Sequence, residues 1–212
     1  NTIIETSTPT LLIDEASTLT HNGLISVMVT VNGCTSYDAV EVLVNVTATP
    51  MSPSIANSTT LLDPACEGEQ VQLSTPLVSG ATYTWFGPNG FSSNQPNPSI
   101  GSVALIDTGM YELIVEVNGC ASSVSNTLVY VEALPDAPVV SNEGPFCEEM
   151  DIELRVINPN PEHLYRWYRA SNNLEVGTGA VLILPAASQS DAGGYYVTAE
   201  TDDCASEASN IT

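Results

Sequence analysis

Internal repetition constrains the fold of this chain more than any other feature. The segment 117–122 reads VNGCAS, and the upstream segment 31–36 reads VNGCTS. The pattern D-x-G-x-Y begins at Asp107 and again at Asp191, at nearly the same spacing. Landmarks that recur in one order indicate a chain built from several similar units.

The register of these landmarks divides the chain into three segments. The first segment, 1–48, corresponds to the C-terminal half of a unit. The second segment, 49–133, is a complete unit, and the third segment, 134–212, lacks its last strand. The proline-bearing stretches 48–53 and 134–138 are predicted linkers, because prolines favour semi-rigid spacing. We therefore expect a window from a longer array.

Strand periodicity dominates each segment. In 110–117, apolar residues alternate with more polar ones at a period of two, which predicts a half-buried strand. The runs 71–73 and 152–154 alternate in the same way. No segment shows sustained helical periodicity, and turn residues recur at short intervals. The pattern predicts an all-β chain of antiparallel β-sandwiches.

Two pairs of aromatic residues indicate that these sandwiches are immunoglobulin-like. Trp85 and Trp167 occupy the position of the tryptophan that packs in the core of such a sandwich. Tyr111 and Tyr195 end the D-x-G-x-Y elements and are predicted tyrosine corners, in which the hydroxyl bonds to upstream backbone. The first segment has His21 where the others have the aspartate of this element.

The five cysteines follow the same register. We predict two disulfides, Cys66 with Cys120 and Cys147 with Cys204, each closing one unit at one end, and no partner for Cys34 in this window. Metal ligation is the alternative, but the chain has no C-x-x-C pair. Disulfides imply an oxidising location such as the periplasm, the cell surface or the medium.

The motifs resemble a known group of repeats. The stretch CEGEQVQL at 66–73, YTWFGPNGF at 83–91 and the NGC-x-S elements are similar to immunoglobulin-like repeats of Bacteroidota surface proteins. Such repeats form arrays in giant gliding-motility and adhesion proteins exported by the type IX route. The resemblance implies a surface adhesin or filament of stacked modules, and it implies no catalytic residues and no cofactor.

The charge balance excludes several classes of partner. The chain has 3 Lys+Arg against 25 Asp+Glu, a formal net charge of −22, and its three cations are all arginines. Nucleic acids and anionic membranes need clustered basic residues, so neither is expected as a partner. No apolar run is long enough to span a bilayer, and no nucleophile motif such as G-x-S-x-G is present. We expect no enzyme activity.

Acidic residues form one candidate cation site. The predicted Cys147–Cys204 bridge would bring Glu148, Glu149 and Asp151 beside Asp202 and Asp203. Carboxylates gathered in this way suit Ca²⁺, which prefers oxygen ligands. No D-x-D-x-D-G loop supports the site, so a solvated acidic rim is the alternative.

These features predict the structural or adhesive repeat region of a large secreted bacterial cell-surface protein, a stalk or filament that presents an adhesin. The expected partners are neighbouring immunoglobulin-like repeats of the same chain, together with surface glycans or other cell-surface proteins. Two alternatives remain: carbohydrate-binding accessory modules of a secreted enzyme, and a subunit of a self-assembling surface filament completed by strand donation.

Overall fold

The computed structural model of the chain describes residue 11, residues 22–142 and residues 144–212. Within these residues the regular elements are twenty β-strands and three short 3₁₀ helices. The all-β prediction is therefore confirmed. All strand pairs but one are antiparallel.

The first segment contains four described strands: β1 (Gly23–Val27), β2 (Thr30–Val31), β3 (Cys34–Thr35) and β4 (Val40–Val44). β1 pairs with β4, and β2 pairs with β3 across a tight turn at Asn32 and Gly33. Both turn residues have positive φ, the conformation that Asn and Gly adopt most readily. The alternating residues Ile25, Val27, Val29 and Val31 thus lie in and between two short strands, with a break after Val27.

The second segment builds a two-layer sandwich. Its strands are β5 (Ala56–Asn57), β6 (Ala65–Cys66), β7 (Val71–Ser74), β8 (Ala81–Phe86), β9 (Ser92–Ser93), β10 (Ser99–Ile100), β11 (Gly109–Val117), β12 (Cys120–Ala121), β13 (Ser125–Val129) and β14 (Val131–Glu132). One sheet has the order β10-β7-β5, and the other has β12-β11-β8-β9 with β13 also on β11. Two 3₁₀ helices, Pro88–Gly90 and Leu105–Asp107, connect strands. β14 pairs in parallel with β6.

The third segment repeats this plan with two three-stranded sheets. Its strands are β15 (Val140–Asn142), β16 (Ile152–Val156), β17 (Leu164–Arg169), β18 (Leu174–Thr178), β19 (Val181–Leu184) and β20 (Tyr195–Glu200), with a 3₁₀ helix at Gln189–Asp191. The sheets have the orders β15-β16-β19 and β18-β17-β20. Residues after Cys204 run along β20 through backbone hydrogen bonds from Ser206 and Ser209.

Each of these two segments has its own hydrophobic core between its sheets. The alternating residues of β7, β8 and β11 point inward, which is what the period of two predicts. The core of the second segment is Ala65, Val71, Leu73, Tyr83, Trp85, Ile100, Val103, Tyr111, Leu113, Val115, Val129 and Val131. The core of the third is Val140, Leu154, Val156, Tyr165, Trp167, Leu182, Tyr195, Val197 and Ala199.

Candidate functional site

One disulfide joins the second segment to the third. It links Cys66 to Cys204, which lie 138 residues apart in sequence and have their Cα atoms 5.7 Å apart. Both cysteines are buried. The predicted pairs, Cys66 with Cys120 and Cys147 with Cys204, are therefore wrong: the bridge connects two cores instead of closing one.

The direction of β11 explains why Cys66 does not reach Cys120. Cys66 pairs with β14, which continues β13, and Val129 of β13 lies opposite Gly109 at the start of β11. Cys120 lies beyond the other end of β11, opposite Val117. Nine residues of strand span about 30 Å, whereas disulfide-bonded Cα atoms lie within about 7 Å of each other. We name the two ends of each sandwich by the direction of this strand. The trailing end is where β11 begins in the second segment and where β20 begins in the third. The opposite end of each sandwich is the leading end.

The third segment shows the same separation. Cys147 lines a cavity together with Tyr195, the first residue of β20. Cys204 follows Glu200, the last residue of β20. The two cysteines thus lie at opposite ends of a strand that spans about 20 Å.

The course of the chain brings Cys66 and Cys204 together. The chain enters the second segment at its leading end, where the Thr47 carbonyl oxygen lies 3.7 Å from Cys120 Sγ. It leaves at the trailing end through β14, beside Cys66. It then enters the third segment at that segment's leading end, where Val140 pairs with Val156 at the end of β16. Cys66 and Cys204 are the cysteines on either side of this crossing.

Backbone hydrogen bonds fix Cys66 in place. The Ala65 amide donates to the Tyr130 carbonyl at 3.0 Å, and the Glu67 amide donates to the Glu132 carbonyl at 2.9 Å. The Cys66 amide itself donates to Glu69 Oε2 at 3.0 Å. The cysteine that precedes β7 is thereby tied to the strand that leads into the next segment.

A tight turn fixes Cys204. The Thr201 amide donates to the Cys204 carbonyl at 2.9 Å, and the Cys204 amide donates to Thr201 Oγ1 at 3.1 Å. The Asp203 carbonyl oxygen lies 3.4 Å from Cys66 Sγ, so this turn contacts the second segment directly. Both half-cystines are thus held on ordered backbone on either side of the junction.

The other three cysteines, which also lie in the described ranges, are unpaired in the structure. Cys34 and Cys147 are exposed, and Cys120 is partly buried. The predicted bonds of Cys120 and Cys147 fail for one reason, because each of these residues lies at the far end of its sandwich from its predicted partner.

A serine two residues after a cysteine recurs in all three segments, and its role was missed in the sequence. In each case the serine hydroxyl accepts a hydrogen bond from the amide of the residue seven positions upstream. The serine amide in turn donates to the carbonyl of that same residue. The amide-to-hydroxyl distances are 3.1 Å for Val29 to Ser36, 3.1 Å for Val115 to Ser122 and 2.9 Å for Ala199 to Ser206. The clamp sets the backbone of each NGC-type turn.

The two tryptophans lie at the centres of the two cores. Trp85 and Trp167 are each 0% exposed. Trp85 Nε1 donates to the Gln95 carbonyl at 3.0 Å, and Trp167 Nε1 donates to the Gly179 carbonyl at 2.8 Å. Neither indole offers a face to a sugar ring, so the tryptophans cannot serve as exposed stacking platforms.

The two tyrosine corners share one geometry. Tyr111 Oη donates to the Asp107 carbonyl at 3.0 Å, and Tyr195 Oη donates to the Asp191 carbonyl at 2.8 Å. Burial, reinforced by the Asp107 charge, raises the pKa of Tyr111 to about 12. The pKa of Asp191 is lowered because its carboxylate accepts hydrogen bonds from the backbone amide and the hydroxyl of Ser188.

The predicted acidic cluster is not assembled. Glu148, Glu149 and Asp151 lie at the trailing end of the third segment, where the Glu149 amide bonds to the loop before β20. Asp202 and Asp203 lie at its leading end, after β20. The residues that the structure describes contain no group of three His, Cys, Asp or Glu side chains placed to hold a metal ion. The predicted proximity of these two groups of carboxylates, on which the calcium site depended, is therefore wrong.

The chain has two histidines, and the structure describes one of them. His21 lies outside the described residues. His163 occupies a turn in which its Nε2 lies 3.2 Å from Asn160 Nδ2. Over the described ranges there is no helix of the length and apolarity that a membrane crossing requires.

One protein-family model matches the third segment of the chain. Residues 135–212 match the family model described as an Ig-like domain, CHU_C associated. The match supports an immunoglobulin-like domain of a Bacteroidetes-type protein. It agrees with the sandwich topology and the tyrosine corner of this segment.

Several solved structures are similar to this chain at low sequence identity. Murine CEACAM1b is 16% identical over 70% of this chain and 92% of its own, with a TM-score of 0.39. The human OSCAR ligand-binding domain is 15% identical over 78% and 99%, with a TM-score of 0.36. Three N-terminal domains of the bacteriophage RB49 outer capsid protein Hoc are 18% identical over 74% and 57%, with a TM-score of 0.38.

Proposed function

We propose that this chain belongs to the structural or adhesive repeat region of a large secreted cell-surface protein. In this proposal the second and third segments are consecutive immunoglobulin-like modules of a stalk. The role of the stalk is to hold an adhesive part away from the cell. In this proposal the whole chain is part of a gliding-motility or adhesion protein exported by the type IX route, which is the kind of protein that its motifs resemble.

The observation that carries this proposal is the Cys66–Cys204 bridge between two separate cores. Linkers of a few residues ordinarily leave neighbouring domains free to move relative to each other. A covalent bond across the junction removes most of that freedom. A stiff connection between modules suits a spacer and has no evident use in a single binding domain.

The bridge also supports a secreted location. Disulfides persist in oxidising surroundings and are rare in the cytosol. The net charge of −22 supports the same conclusion, because strongly charged arrays repel each other and stay dispersed.

Burial of the tryptophans argues against the carbohydrate-binding alternative. A carbohydrate-binding module that stacks sugar rings needs exposed planar aromatic side chains. Both indoles instead lie inside the cores. Phe91, which follows the 3₁₀ helix Pro88–Gly90, packs edge-on against Tyr111 with ring centroids 5.2 Å apart. These aromatic residues stabilise the sandwiches.

Labelling of intact cells tests the surface location. Antibodies raised against this chain should label the intact producing cells, and proteinase treatment of those cells should abolish the signal.

A glycan array with the full chain tests the spacer role, and no specific binding is expected. Labelling only after permeabilisation would refute the surface assignment, and saturable binding to one glycan class would favour the carbohydrate-binding alternative.

A further inference from the structure

The two cysteines of the bridge have equivalents elsewhere in the chain. Cys147 precedes β16 as Cys66 precedes β7. Cys120 follows β11 as Cys204 follows β20. Both equivalents are unpaired.

Two backbone hydrogen bonds in the turn at Cys147 match those in the turn at Cys66. The amide three residues after each cysteine donates to its carbonyl, from Glu69 to Cys66 at 3.0 Å and from Met150 to Cys147 at 3.3 Å. A second contact also recurs, since the Gly68 amide donates to the Val103 carbonyl as the Glu149 amide donates to that of Ala187. The two thiol positions are therefore presented by the same turn.

Cys120 matches Cys204 through the serine clamp. Ser122 and Ser206 each bond twice to the strand that runs toward the leading end. Cys120 lies beside Thr47, at the point where the chain arrives from the preceding segment. Cys120 therefore lies at the leading end of the second segment, as Cys204 lies at the leading end of the third segment.

Cys147 lines a cavity at the trailing end of the third segment, together with Leu154, Tyr195 and Thr212 among others. Its side of the sandwich corresponds to the end of the second segment where Cys66 lies beside β14. Cys147 is exposed there. Its thiol is therefore accessible at the same end of the sandwich from which Cys66 makes its bridge.

We propose that Cys147 and Cys120 are half-cystines of further junctions of the Cys66–Cys204 kind. Cys147 bonds to the cysteine that follows the β20-like strand of a following module, and Cys120 bonds to the cysteine that precedes the β7-like strand of a preceding module. This inference rests on the proposed function, because it requires modules of the same type on both sides.

The bond forms by a balanced thiol–disulfide exchange. The two thiols lose two protons and two electrons and form one S–S bond. A small disulfide oxidant such as oxidised glutathione accepts both, its own S–S bond breaks, and it leaves as two thiols.

Extension of the chain tests the proposal. A second copy of residues 128–212 is added after Thr212, which contacts Asn142 as Thr127 contacts Asn57. The extended protein is oxidised with a glutathione couple, alkylated and mapped without reduction. Alkylation of Cys147 should be lost, because Cys147 becomes linked to the appended copy of Cys204. The Cys66–Cys204 bridge of the same molecule reports that the original segments have folded.

Two controls keep the outcome decisive. Replacing the appended Cys204 by serine should restore alkylation of Cys147. A second extension, residues 128–133 followed by 49–133, offers the copy of Cys120 from a different module sequence and should protect Cys147 equally. The proposal is wrong if Cys147 stays reactive in both extensions while Cys66–Cys204 forms, or if Cys147 bonds only between separate molecules. Neither result bears on surface labelling of intact cells, so the proposed function is tested separately.

Discussion

The second and third segments differ most clearly at one position beside their tyrosine corners. Two residues after the core tryptophan, the second segment has Gly87 and the third has Arg169. A Cβ on Gly87 would lie 2.4 Å from Tyr111 Cδ1, so the ring occupies the space of a side chain. Arg169 instead places its guanidinium 5.3 Å from the centre of the Tyr195 ring and donates to Tyr195 Oη at 2.7 Å.

The hydrogen-bonded frame around this position is nevertheless the same. Tyr83 Oη accepts from the Val78 amide at 2.7 Å, as Tyr165 Oη accepts from the Asn160 amide at 2.8 Å. The corner hydroxyls, indole N–H groups and serine clamps also correspond. The comparison teaches that the two segments keep the same polar contacts, whereas the packing beside those contacts differs in chemistry.

The change in chemistry follows the distribution of cations. All three arginines lie in the third segment, where Arg166 bonds to Glu200 at 2.7 Å and Glu175 at 3.3 Å. These carboxylates raise the pKa of Arg166 further. The second segment has no basic side chain and surrounds its corner with aromatic and glycine contacts. We expect the third segment to be the more sensitive to salt.

The largest expected effect breaks either core. Trp85→Ala and Trp167→Ala should each destabilise their own segment by about 3–5 kcal/mol, because each removes a fully buried indole. Circular dichroism gives the overall unfolding curve, and fluorescence of the remaining tryptophan reports the other segment. Its midpoint should fall by less than that of the altered segment, because the other core is intact and only the bridge couples it to the altered one. A much smaller loss in one variant would show that the two cores are not equivalent.

Removal of the bridge should allow the two segments to be compared separately. The double variant Cys66→Ser/Cys204→Ser should lose about 2–4 kcal/mol, because the bond no longer restricts the unfolded chain. Calorimetry should then resolve two transitions. Cys34→Ser is the matched control and should leave the thermogram unchanged. A double variant that still unfolds in one step at the original temperature would contradict the coupling.

The corner position itself should respond unequally. Gly87→Ala should cost about 1–3 kcal/mol, because the new methyl group overlaps the Tyr111 ring. Arg169→Ala should cost about 1 kcal/mol through loss of its bond to Tyr195, and it should reduce the salt dependence of unfolding. Denaturant titrations at low and high salt measure both. Equal tolerance of the two substitutions would contradict the proposed difference.

The smallest expected effect concerns alkaline pH. Tyr111 has a folded pKa of about 12, above the value of 10.0 for an unperturbed tyrosine. Its contribution to stability is complete below pH 10 and is lost as the pH rises toward 12, because the unfolded state ionises first. The fall in stability between about pH 10 and pH 12 should be smaller in Tyr111→Phe than in the wild type. An unchanged pH profile in that variant would show that Tyr111 does not cause the fall.

Local features of the fold were accessible from the sequence. The period of two in 110–117 corresponds to β11, which buries Tyr111, Leu113 and Val115. Trp85 and Trp167 lie where the sandwich pattern predicts them. Such features depend on short-range patterns of burial, which alternation records directly.

The cysteine pairing was not accessible in the same way, because a repeat register shows which residues are equivalent but not which end of a sandwich they occupy. Four strand reversals separate β7 from β11, because β8 and β10 run one way and β7, β9 and β11 the other. The strands β7 and β11 therefore run in the same direction. A cysteine before the first and one after the second must then lie at opposite ends. Counting reversals would have excluded Cys66 with Cys120, but only the course of the linker identifies Cys204 as the partner.

The Cys66–Cys204 bridge determines how the molecule bears tension. A pull applied through the first segment and residue 212 passes from Cys66 directly to Cys204, so the 138 intervening residue steps carry no load. At about 3.5 Å per residue, roughly 480 Å of chain is withheld from extension even when both cores melt. Each of the further bridges that we propose would bypass most of two modules in the same way. Only the short stretch from one Cys120-type position to the next Cys147-type position would then lengthen, once for every two modules. Such a tether keeps nearly its native length under loads that unravel ordinary domain chains.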